Sequence, residues 1–233
     1  MYTVSALWAT LIATDGHWFE TKVDINGVTY GQDQLMSLSV DLRMFAEQQP
    51  SVGGCLAGEI NLSMLAPSVS IPRMASIDPY VRVCAGVQQS EWIPQGKYYI
   101  DTREITKNDD NLNILTLHGF DSMLKSEAGY PSTSHSWPYT DINVVNEIAT
   151  TMGVGVDSRT TDLMTNAYQI GLPAGMTMRE ALGNIAAMYA GNFVMSYDGE
   201  LLLIAANGIP PETNYLVDAV GDAITFGGDR ILV

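Results

Sequence analysis

Residues 59–64 read Glu59-Ile60-Asn61-Leu62-Ser63-Met64, and their unbroken alternation decides the fold of the first part of the chain. Side chains on a strand point to opposite faces in turn. Ile60, Leu62 and Met64 therefore share an apolar face, and Glu59, Asn61 and Ser63 a polar one. Outward from this stretch, segments rich in β-branched, aromatic and alternating residues lie at 20–25, 28–30, 34–42, 55–65, 80–87, 96–104 and 112–119. Turn signals separate them: Asn26-Gly27, Gly53-Gly54, Pro94-Gln95-Gly96 and Asn108-Asp109-Asp110-Asn111. The sharpest is Asn26-Gly27 between VDI and VTY, where Gly supplies the positive φ of a type I′ hairpin turn. Residues 4–14 are apolar but lack the basic start and cleavage site of a secretory signal. They are read as a first strand, ended by Asp15-Gly16. Many short strands with tight turns predict a compact barrel or sandwich.

A different pattern follows. Residues 126–140 (SEAGYPSTSHSWPYT) are loop-like. Next, Val144, Val145, Ile148, Ala149 and Met152 fall at helical spacing over 141–152, with Thr140 or Asp141 to cap the helix and Gly153 to end it. Residues 154–172 read as mostly irregular, closing in a strand at 168–172. A second helix starts at Thr177-Met178-Arg179-Glu180, a capping box. It carries a stripe of Ala181, Leu182, Ile185, Ala186 and Tyr189 and is stopped at Gly191. A hairpin then runs through 192–197, Asp198-Gly199 and 200–205. The expected fold is mainly β with an α+β part. Residues 1–125 form a β-barrel-like domain, and 126–206 a small helix-strand-helix-hairpin domain. Residues 207–233 hold a linker (NGIPPETN, 207–214) and the start of a further, truncated β domain, since the chain stops inside an apolar run.

With 46% hydrophobic and 16% charged residues, the 233-residue chain has the makings of a globular core. Eleven basic against 26 acidic residues give a net charge of −15. That charge repels phosphates and excludes nucleic-acid binding as the main role. It leaves two readings: solubility, or a surface over which a polyanion slides without sticking. No apolar run is long enough to span a bilayer. Cys55 and Cys84 sit in apolar-periodic stretches without metal spacing. They read as buried free thiols of a reducing compartment, with a disulfide as the alternative. Most of the twelve methionines fill core positions, and some suit an adaptable interface.

Chemistry is hard to find in this sequence. His17, His118 and His135 are far apart and form no H-x-x-x-H or H-E-x-x-H pattern. His118 reads as a structural imidazole on a strand. No nucleophile elbow, P-loop or dinucleotide fingerprint is present. Gly153-Val154-Gly155 follows a helix instead of opening one, which suits a C-cap. Asp109-Asp110 lacks the Gly and Glu of a calcium loop and reads as a solvated turn. Asp157, Arg159 and Asp162 read as polar loop. No catalytic, cofactor-binding or metal-binding residues are assigned, and no cofactor is expected.

The order of parts resembles a known group. It runs through a small-residue, Gly, strand segment (51–60), P-Y-V-R-V (79–83), G-x-Y-Y-I-D (96–101, continuing to Thr102-Arg103-Glu104) and L-T-L-x-G-F-D-x-M-L (115–124). V-x-E-I-A-x-x-M-G-V (145–154), the stretch GMTMREALGNIAAMYAGN (175–192) and D-G-E-L-L-L (198–203) follow. Over about residues 30–206 this series is similar to bacteriophage and prophage tail baseplate hub proteins. The resemblance implies a β-barrel-like first domain, with Asp121 capping a helical turn at 122–125. It also implies a non-enzymatic virion structural protein at the tail tip, made in the host cytoplasm. Such proteins form a homotrimeric ring that joins the tail tube or distal tail protein to the spike or fibres, around the DNA exit channel. An acidic lumen suits that channel. A second barrel usually follows and makes the ring pseudo-sixfold. Only its start, near Tyr215, is expected here, which would leave this length of chain monomeric. Two alternatives stand beside this reading: a cell-surface or glycan-binding module of a bacterium, and part of a tail-associated cell-wall hydrolase whose catalytic domain lies elsewhere.

Overall fold

The computed structural model describes residues 4–43, 51–68, 70–131 and 136–205, with the backbone of 225–226 and 229–230. Its largest element is one antiparallel sheet. The strands are β1 (Trp18–Ile25), β2 (Val28–Tyr30), β3 (Leu35–Asp41), β4 (Glu59–Leu65), β5 (Ser76–Ala85), the short β6 (Gln88–Gln89) and β7 (Ile93–Pro94), β8 (Tyr98–Lys107) and β9 (Asn113–Asp121). Their order is β2-β1-β5-β8-β9-β4-β3, with β6 and β7 beside β5. The alternation at 59–64 appears as expected: Ile60, Leu62 and Met64 are at most 1% exposed. Asn26 (φ 50°) and Gly27 (φ 80°) both take positive φ and join β1 to β2. Val23, Ile25, Ile77, Tyr98, Ile100, Leu115 and Leu117 complete the core around β4. Each such aliphatic side chain contributes about 1.5–3 kcal/mol by leaving water.

The expected barrel is not closed. The end strands β2 and β3 both lend side chains to this core, through Tyr30, Leu38 and Val40, yet no ladder joins them among the described residues. The pairing of β5 with β8 is short. Ser76↔Tyr99 and Ile77↔Tyr98 are in register there, the Ile100 N–H donates to the Ala75 carbonyl at 3.1 Å, and beyond it β8 pairs only with β9 among the described residues.

The expected strand at 4–14 is a second correction, because α1 (Ala6–Ile12) is a helix. Ser5 caps it by accepting from the Trp8 N–H at 3.1 Å. Its run ALWATLI has no period of two, and Leu11 with Trp8 packs one face onto Val83 and Ala85 of β5.

The second cluster of buried side chains gathers β10 (Tyr139–Thr140), α2 (Asp141–Met152), α3 (Ser158–Leu163), β11 (Gln169–Ile170), α4 (Met178–Met188), β12 (Gly191–Met195) and β13 (Leu201–Ala205). Gly153 ends α2 in the left-handed region. Thr177 and Glu180 form the expected capping box: the threonine hydroxyl accepts from the Glu180 N–H at 3.1 Å, and the glutamate accepts from the Thr177 N–H at 2.7 Å.

Three details differ from the sequence reading. The expected strand at 168–172 shortens to β11. The stretch read as irregular contains α3, capped by Asp157, whose carboxylate accepts from the Arg159 N–H. With only Thr160 buried, α3 has no apolar stripe to announce it. Finally, Gly191 does not stop α4. The positive φ falls on Ala190, and Gly191 opens β12, where a Cβ would lie 2.4 Å from the Ile204 carbonyl oxygen.

The segment before β4 fastens the two clusters together. The Gly53 N–H donates to the Gly191 carbonyl at 2.8 Å, and the Phe193 N–H donates to the Gly54 carbonyl at 2.9 Å. The Asn192 side chain accepts from the Gly54 N–H and donates to the Ser51 carbonyl, at 2.6 and 2.7 Å. Cys55 and Met123 are buried in the helical cluster although they precede it in sequence. Both cysteines are free and buried. Burial pushes the Cys55 thiol up to about 12, out of range for nucleophilic chemistry at neutral pH. Beyond residue 206, β14 (Thr225–Phe226) pairs with β15 (Asp229–Arg230). The rest of the expected linker and β start lies outside the described residues.

Candidate functional site

The β12–β13 hairpin is apolar on both faces. Phe193, Met195, Leu201, Leu203 and Ala205 enter the helical cluster. Strand alternation sends Val194, Leu202 and Ile204 the other way. There they meet Leu42 and Leu56 across a cleft of about 270 Å³. The rim of the cleft is polar, carrying Arg43, Asp121, Arg159 and Asp198.

Asp121 is the best-defined rim group. It ends β9 and caps the 3₁₀ turn Ser122–Glu127 that follows, as the resemblance implied. It is 4% exposed, and its two oxygens accept from the Gly58 N–H at 2.7 Å and the Met123 N–H at 2.8 Å. Burial pushes its carboxyl up to about 6, because charge is disfavoured away from water; the two backbone bonds and Arg179 only partly offset this. Gly58 is required opposite it, since a Cβ there would sit 2.9 Å from the carboxylate and 2.8 Å from Leu42.

The two arginines of the rim already have carboxylate partners. Arg159 grips Asp157 through both oxygens, at 2.8 and 2.6 Å, and holds that carboxyl below its ordinary range. Arg43 pairs with Asp41. The Ser196 hydroxyl accepts from the Glu200 N–H within the hairpin turn. An apolar lining whose two arginines are already paired suits packing contacts more than bond making.

The residues weighed in the sequence stay apart. His17 is exposed and bonds the Thr14 carbonyl. His118 is half-buried on β9, edge-on to Phe120 and 3.7 Å from Glu59. His135 lies outside the described residues. Asp109 and Asp110 occupy the β8–β9 turn, where Asn108 bonds the Leu112 N–H. Among the described residues no group of three or more His, Cys, Asp or Glu side chains is placed to hold a metal ion. Among the described residues no helix is long and apolar enough to cross a membrane. The cleft was not legible beforehand, since its walls come from Leu42, Arg43, Leu56, Gly58, Asp121, Arg159 and the hairpin at 194–204. The one local signal was the two-sided apolar hairpin.

No protein-family model matches the chain, and no curated protein does. Solved structures do. The 43 kDa tail protein of prophage MuSo2 from Shewanella oneidensis superposes with a TM-score of 0.55 at 16% identity, covering 82% of this chain and 56% of that one. The tail protein from Neisseria meningitidis MC58 gives 0.52 at 14% identity, covering 88% and 54%. The chain thus spans about half the length of each. Over most of its own length, it shares the fold of these tail proteins.

Proposed function

We propose that the chain is a structural component of a phage or prophage tail, part of the baseplate hub ring that joins the tail tube to the spike or fibres around the DNA exit channel. The observation that carries this is the fold shared with two tail proteins over 82% and 88% of the chain. The run of motifs from residue 51 to 203 supports it independently. On this reading the protein works by holding neighbours: copies of itself in a homotrimer, a tube or distal tail protein above, and a spike or fibre below. The division at residues 125 and 206 separates a ring-forming β domain from the α+β unit and from the start of a further β domain. A net charge of −15 suits a lumen through which DNA passes, because like charge keeps the duplex from adhering.

The test is made on particles released by the element that encodes the chain. Antibody to the chain should decorate one tail end in electron micrographs, and deletion of its gene should arrest tail assembly. Label along the whole tail, or normal infectious particles after deletion, would overturn the reading.

A further inference from the structure

Two long edges of the large sheet carry no partner strand among the described residues. One is β3, the last strand in the order, seven residues long. The other is the far half of β8. Residues 101–107 are all exposed, and 102–107 pair with β9 on one side only. Over their core face the segment with Ala66, Pro67 and Ile71 leaves a groove of about 560 Å³, also lined by Arg103, Ile105 and Leu115, and Arg103 donates to the Ile71 carbonyl. The remaining end strand, β2, has three residues and offers little ladder. An open strand edge is a row of unpaired N–H and C=O groups that recruits another strand.

We propose that the free half of β8 receives β3 of a second copy of this chain, head to tail, so that one sheet continues into the next. The choice of a repeating ring over a simple pair rests on the hub reading above; the pairing itself rests on the two edges.

The faces of the two strands match. Leu38 and Val40 of β3 point to the core side, while Ser37 and Ser39 are exposed. Arg103 and Ile105 of β8 stand opposite the buried Leu117 and Leu115 of β9, so they too lie on the core side. Thr102, Glu104 and Thr106 take the other face. In a continued sheet, Ile105, 64% exposed in the single chain, would gain the cover of the Leu38–Val40 row. Serine hydroxyls would meet threonine hydroxyls outside. The bulges at the start of each edge, between Leu35 and Ser37 and between Ile100 and Thr102, lie outside the regular stretches 37–41 and 102–107.

Pairing β8 with itself is less favourable. A two-fold axis sets one residue opposite its own copy. Centred on Arg103 or Glu104 it opposes identical charges, and centred on Ile105 it opposes Arg103 with Lys107. It also leaves β3 open in both copies. Head-to-tail pairing uses both edges and closes into a ring when the rotation allows.

The test uses the whole chain with Ser39→Cys and Thr106→Cys, both at exposed positions, and a short bismaleimide linker; the native thiols are buried. Mixing the two variants should give cross-linked dimer in several-fold higher yield than either alone, and the double variant should give a ladder ending at a closed oligomer. Ile105→Lys should abolish the mixed cross-link without lowering the melting temperature. No mixed cross-link, homotypic products only, or unchanged yield with Ile105→Lys overturns the pairing. Oligomers seen by light scattering without the mixed product overturn this edge while leaving the hub reading standing. An intact cross-link with no label at the tail tip does the reverse.

Discussion

Asp121 shows how one side chain records its surroundings. Its folded pKa of about 6 lies above the ordinary 3.8, so the native state holds a proton that the unfolded chain has released at the same pH. Stability from this group is therefore complete below pH 3.8 and is lost as pH rises through about 6. The shift corresponds to something on the order of 3 kcal/mol. In urea titrations, wild type minus Asp121→Asn should rise as pH falls from 7 to 4. A flat difference would show that burial does not govern this carboxyl. Gly191→Ala should cost about 1–3 kcal/mol by overpacking against the Ile204 carbonyl, read as a lower urea midpoint with an unchanged slope. The two residues also divide what was legible. Asp before a helical turn announces a cap in the sequence itself. The crowding at Gly191 depends on a carbonyl thirteen positions away, so a glycine after a helix looked like a stop.

At the scale of elements, local chemistry was legible and pairing was not. The Asn26-Gly27 turn, the Thr177 capping box and the Gly153 terminus each depend on a few adjacent residues, and each stands where it was expected. Thr177→Ala should lower stability by about 0.5–2 kcal/mol, seen as a drop in melting temperature, because the Glu180 amide loses its acceptor. Helices α1 and α3 were missed for a different reason. The first is apolar without alternation and is fixed by Ser5 and by packing on β5; the second buries a single threonine. The open ladder was equally hidden, since eight strand-like segments say nothing about whether the ends meet. That depends on whether β2 and β3 come together across the core, which no run of adjacent residues fixes.

Across the whole molecule, the segment 51–55 binds two cores into one body. Asn192 is 3% exposed, and its side chain spans that seam. Asn192→Ala leaves the Gly54 amide without its acceptor and should cost about 1–3 kcal/mol. Faster hydrogen exchange at Gly54 and Phe193 should accompany it; exchange confined to distant strands would place the damage elsewhere. Charge acts at the same scale. Copies that each carry −15 repel one another in dilute buffer, so the yield of the mixed cross-link should climb between 50 and 500 mM salt as screening shortens to roughly 4 Å. A yield that falls with salt would mean that attraction between opposite charges drives association instead.

The far half of β8 has a genetic consequence. Its seven side chains are exposed and, apart from Arg103, which donates to the Ile71 carbonyl, bury little within their own subunit. Changes there would pass any screen that scores expression, solubility or melting, and would surface only as particles that fail to mature. Alleles at 101–107 should therefore cluster among assembly defects with normal protein levels, and those at Ile60 or Leu117 among folding defects.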